Sequence, residues 1–145
     1  MFQSYHLSHA DSQRIVEAIR AELERSGKGA AIAVADAQGE LLAFLRTDGC
    51  RLPSITIAIN KAFTAAREQK ETAVIGESSR TSGYPMTNFG DLRYTAWGGG
   101  VPIIYRGQVV GAIGVSGLPE KEDMVLARLG ADLVARSAAG DEQER

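Results

Sequence analysis

Lys61 interrupts an apolar helical run from Ile55 to Ala66, where alanine or leucine would serve packing as well. A lysine placed there either snorkels from an apolar face or holds an anion as a point charge. A second unusual stretch is Trp97-Gly98-Gly99-Gly100-Val101-Pro102, followed by Gly111, Gly114 and Gly117; seven of the sixteen glycines lie between 98 and 117. Glycine weakens a strand interior, so Gly111 and Gly114 point to close approach by another backbone or by a flat ligand. Gly98, Gly99 and Gly100 offer backbone N–H groups suited to a carboxylate or phosphate. Their spacing matches neither the phosphate-cradling P-loop nor the dinucleotide fingerprint.

The elements that must position these residues follow from periodicity. Ser8 and Asp11 have capping-box spacing, and Ile15, Ile19 and Leu23 form one stripe, predicting a helix from about Ser8 to Arg25 that ends at Gly27. Two tight strand–turn–strand units, 31–46 and 101–115, carry glycine in the turn and read as antiparallel hairpins. Between them, a helix is predicted over Ser54 to Gln69 after Pro53, with a short one from Thr72 to Ser79. Residues 80–100 lack periodicity, and so long a stretch without elements in a small domain is usually functional. A last helix spans about Glu120 to Ala138, with acidic residues at its positive end, followed by a frayed acidic tail from Gly140. This order predicts the α+β class, an antiparallel sheet with helices on its faces.

At 145 residues the chain is one domain, 1–145, with an ordered core over about 8–138. Its 44% hydrophobic and 23% charged content is that of a folded globular protein. A net charge of −2 and a pI near 5.7 argue against nucleic-acid and anionic-membrane partners. Residues 43–70 nevertheless carry a local excess of cations, a place for an anionic ligand. Cys50 is the one cysteine, so an internal disulfide and a multi-thiolate zinc site are ruled out. With no secretory signal and no apolar run of about 18 residues, the expected location is cytoplasmic.

Several blocks in order resemble a known family: Val34-Ala35-Asp36 with Gly39, then Arg46-Thr47-Asp48-Gly49, then Ala58 to Ala65 around Lys61. Gly98 to Ile103, Gly107 to Gly117 and Asp123 complete the set. Over about residues 8–138 the chain resembles the GlcG/HbpS haem-binding family, with the OrfY proteins and the C-terminal domain of PduO-type adenosyltransferases. The resemblance implies a profilin-like α/β/α sandwich, a five-stranded antiparallel sheet whose fifth strand would come from about Arg93 to Trp97, and a homo-oligomer. It also implies a small-molecule-binding protein holding haem or a related anionic ligand. The alternatives are a cofactor-free lyase on a small aromatic or hydroxylamino acid, like the hydroxylaminobenzoate lyases, and a structural oligomer accompanying a metabolic enzyme.

Each role needs particular side chains. Haem iron takes an axial imidazole, thiolate, thioether or phenolate. His9 is the candidate, with His6 three residues before it; Cys50, Tyr84, Met86 and Tyr94 are weaker, and an ordinary surface histidine is the bland reading. For an anionic or aryl ligand, Arg46, Lys61 and Arg93 could meet carboxylates, Tyr94, Trp97 and Phe89 could stack on a ring, and Gly98 to Gly100 would permit close approach. A lyase would use Asp48, Lys61 and Arg93, with Asp48 or Asp91 as proton donor if burial raised its pKa. The bland reading of each is an ordinary salt bridge.

Overall fold

The computed structural model describes residues 1–143. Helix α1 covers His9–Ser26, and its start is the expected capping box: Asp11 N–H donates to Ser8 Oγ at 3.1 Å while Ser8 N–H donates back to the Asp11 carboxylate. Strands β1 (Ala31–Asp36) and β2 (Leu41–Arg46) form the first hairpin, and β3 (Gly100–Tyr105) and β4 (Gln108–Ser116) the second. Helices α2 (Ser54–Glu68) and α3 (Thr72–Ser82) lie between them, and α4 runs Glu120–Gln143. The last helix thus outruns its predicted end at Ala138, and the part of the expected frayed tail at 144–145 lies outside the described residues.

The sheet order is β2-β1-β4-β3, antiparallel throughout. The alternation of β1 separates two cores. Ile32 and Val34 point to one face and join Ile15, Ile19 and Leu23 of α1 and Leu126 and Ala127 of α4. Ala31, Ala33 and Ala35 point to the other and meet Ala58 and Ala62 of α2. Large residues on one side and alanines on the other make a three-layer arrangement in which α2 lies close to the sheet. Gly114 completes that close fit, since a Cβ there would stand 2.0 Å from the Ala58 carbonyl oxygen and 2.7 Å from the Ala62 nitrogen.

The described residues contain four strands, so the five-stranded sheet is corrected. The expected fifth segment is held by a side chain instead of a strand. Thr64 Oγ1 on α2 accepts the Thr95 N–H at 3.1 Å and shares its own proton between the Asn60 carbonyl of its helix at 2.8 Å and the Arg93 carbonyl at 3.2 Å. With these backbone groups satisfied by a helix hydroxyl, this stretch docks across α2 without extending the sheet. Residues 80–100 also hold a short 3-10 turn, Met86–Phe89. No helix of the described residues is long and apolar enough to cross a membrane.

Candidate functional site

The close fit of α2 on alanines and glycines carries Lys61 inward. Its side chain is only 3% exposed, and Nζ donates to the Val115 carbonyl at 2.9 Å and to Asp123 Oδ2 at 3.2 Å. The aspartate comes from the first turn of α4, where its other oxygen accepts the Leu118 N–H at 3.1 Å. Burial pushes the Asp123 carboxyl above the usual carboxylate range, outweighing the pull of the Lys61 ammonium and the backbone N–H groups of Leu118 and Gly117.

This pair forms the base of a cavity of about 410 Å³ between the starts of α2 and α4. Arg51, Ser54 and Ile57 line one side, Ser116 to Leu118 another, and Trp97 and Glu120 the rim. Ser54 and Ser116 are each 5% exposed, yet neither hydroxyl makes a hydrogen bond among the described residues, and neither is sealed from the cavity. Arg51 is exposed and has no carboxylate within 4 Å among the described residues. Unused donors therefore surround the ammonium of Lys61, while Trp97, 61% exposed, offers a flat apolar wall.

Two of the three N–H groups of the predicted glycine cradle are taken by side chains of this chain. Gly98 N–H donates to Glu120 Oε1 at 2.7 Å, and Gly100 N–H to Thr72 Oγ1 at 2.8 Å. The side-chain-free space beside β4 is likewise filled by α2 at Gly114. Of the two readings the sequence left open there, close approach by another backbone is the one observed.

Of the sequence-predicted site residues, Lys61, Trp97 and Gly98 come together on the cavity, with Gly99 and Gly100 buried behind it. The others lie elsewhere. Arg93 is engaged by Asp91 at 2.8 Å and sits 3.9 Å from the Phe63 ring centre, and that bond holds the Asp91 carboxyl below its usual range. Tyr94 stacks on Phe89 with centres 4.3 Å apart and meets Phe63 edge-on. Asp48 is exposed in the turn after β2, and Arg46 is exposed at the end of that strand; neither lines the cavity. Cys50 is half-buried against the alanine core, and burial pushes its thiol up, away from the thiolate. His9 opens α1, which packs on the opposite face of the sheet from α2, and lines a groove with Val16, Ala43 and Leu45.

Arg51, Ser54, Ser116, Glu120 and Asp123 were not named as site residues from the sequence. For Asp123 a signal existed: a lysine on a core-facing helix position demands a buried carboxylate, and an acid one turn into the last helix can supply it. Nothing in the spacing marked the two serines.

Comparison with known proteins gives a consistent result. A family model described as haem degrading protein HbpS-like matches residues 7–132. Protein GlcG of Escherichia coli K12 is 35% identical over 116 residues, covering 76% of this chain and 81% of that protein. The crystal structure of a double mutant of Streptomyces reticuli HbpS superposes with a TM-score of 0.83 at 30% identity, covering 92% and 90% of the two chains. A PduOC–haem complex superposes with a TM-score of 0.81 at 22% identity, covering 88% and 94%, a likeness of fold.

Proposed function

Because the chain belongs to the HbpS-like family, matched over residues 7–132, we propose that it is a small-molecule-binding protein whose cavity between α2 and α4 takes an organic anion. One observation carries this reading: the hydroxyls of two largely buried serines, still open to the cavity, and the guanidinium of Arg51, none with a partner among the described residues, line the space above Lys61. A carboxylate would accept from Arg51 and from Ser54 or Ser116, and its carbon skeleton would lie against Ile57 and the Trp97 indole. Asp123 already balances the ammonium of Lys61, so the added anion is held chiefly by neutral donors and by Arg51.

Haem is the second reading, favoured by the family's description and by the relative crystallised with it. The residues lining the cavity above Lys61 include no histidine, cysteine, methionine or tyrosine, so that cavity does not fit the iron of a haem. The His9 groove fits better, since an imidazole stands beside the apolar side chains of Val16, Ala43 and Leu45. Haem supplies iron-centred ligand and redox chemistry when bound; the chain's part there is an axial imidazole and an apolar wall. The exposed Leu41 and Leu42 on the edge strand β2 support the accompanying reading of a homo-oligomer.

Trp97 is the only tryptophan, so its fluorescence reports on the cavity alone. Benzoate is expected to give a saturable change in that signal, weakened roughly tenfold in Arg51→Ala through loss of a charge-assisted hydrogen bond. A benzoate response absent from the wild type, or equal in Arg51→Ala, would remove the anion site. In parallel, haemin is expected to give a saturable Soret shift that His9→Ala abolishes; a shift unchanged in that variant rules out His9 as the ligand.

A further inference from the structure

Glu120 is the first residue of α4, exposed, on the rim of the cavity. Its Oε1 accepts the Gly98 N–H at 2.7 Å, within the range of a charge-assisted hydrogen bond. Its acidic neighbours on the same helix turn are both ion-paired, Glu122 with Lys28 at 2.9 Å and Asp123 with Lys61 at 3.2 Å. Glu120 has no cation within 4 Å among the described residues, and neither it nor the unpaired Arg51 of the same cavity reaches the other. A Cβ at Gly98 would stand 2.7 Å from that same Oε1, so the glycine leaves the N–H open to a carboxylate and nothing larger on its own residue.

Resting on the anion-binding reading above, we infer that Glu120 is an internal competitor: its carboxylate holds, on Gly98 N–H, the position that the ligand's own anionic group would take. The side chain is long and exposed, so it can swing to solvent, and a ligand carboxylate arriving at Gly98 restores the hydrogen bond that the swing breaks. A ligand that enters while Glu120 stays in place meets a like charge at close range in a partly dehydrated site. Apparent affinity is therefore the intrinsic affinity scaled by the fraction of molecules in which Glu120 has left. Neutral ligands feel neither the repulsion nor the exchange. Glu120 thus sets how the cavity discriminates by charge, a role separate from the unpaired donors of Arg51, Ser54 and Ser116, which attract the anion.

The test titrates the full chain with benzoate and with its neutral isostere benzamide, read by Trp97 fluorescence. Glu120→Ala and Glu120→Gln are expected to bind benzoate more tightly than wild type by on the order of tenfold. The same substitutions are expected to change benzamide affinity by less than about twofold, because the exchanged interaction is electrostatic. The Gln variant keeps the length and an acceptor atom, so a gain shared by both variants reports on charge and not on space. Helical circular dichroism matched to wild type checks that α4 still starts in place. Benzoate affinity equal to or weaker than wild type in both Glu120 variants overturns the competitor. If that result comes with a wild-type response that Arg51→Ala weakens, the anion site stands and only the competitor fails; no saturable response in any variant sinks both.

Discussion

Asp123→Ala is expected to lower the free energy of unfolding by about 3–5 kcal/mol, the cost of leaving a buried charge without its partner. Lys61 is 3% exposed, so without the carboxylate its ammonium would keep only the Val115 carbonyl as a partner in the protein. Denaturant unfolding followed by circular dichroism measures the loss. The double variant Lys61→Met with Asp123→Leu separates the pair from its parts: replacing both charges by apolar side chains of similar size is often neutral or stabilising. A single variant as stable as wild type would show that the two groups do not meet as described.

The pH dependence of the same aspartate has a definite sign. Burial raises its carboxyl in the folded protein, so between the ordinary carboxylate value and the raised one the folded state binds more protons than the unfolded chain. The contribution of Asp123 to stability therefore falls as pH rises through that window and is constant above it. A carbon-detected titration of the Asp123 carboxyl should place its midpoint above the ~3.9 of an unperturbed aspartate. A midpoint below that value would mean that Lys61, not burial, dominates.

Gly114→Ala carries the second large effect. The added carbon would stand 2.0 Å from one backbone atom of α2 and 2.7 Å from another. Overpacking of an ordinary core costs about 1–3 kcal/mol because side chains can shift, but here the obstacle is helix backbone. The substitution is expected to exceed that range and to push α2 away from β4, spoiling the cavity with it. Thermal unfolding and the benzoate response of Trp97 should fall together. A variant with wild-type melting behaviour would contradict the close seat of α2.

Much of this was legible in the residues. Ser8 with Asp11, the glycine turns of both hairpins and the apolar spacing of α2 each rest on local geometry, and local geometry is what a linear pattern records. The unusual standing of Lys61 was legible too, because a charge on a core-facing stripe is an anomaly that packing must answer. The fifth strand was not, since the outcome depended on Thr64, thirty residues away, supplying a hydroxyl to the backbone of Arg93 and Thr95. The same is true of the glycine run. Its N–H groups look available in sequence, and only the fold brings Glu120 and Thr72 onto them. Ser54 and Ser116 are ordinary residues whose meaning comes from a space that two distant helix starts enclose.

The two-sided character of β1 bears on how this protein can vary. On the face toward α1 and α4, Ile32 and Val34 sit among other branched side chains, where one aliphatic shape can be traded for another with modest repacking. On the face toward α2, Ala31, Ala33 and Ala35 lie under a helix that approaches as near as methyl groups permit. Mutational tolerance should therefore alternate residue by residue along a single strand: permissive at even positions, and at odd ones intolerant of any enlargement. A saturation library across 31–35 would show that two-residue rhythm directly, and it would also locate the sites at which a redesigned binding cavity can be altered without dislodging the helix above it.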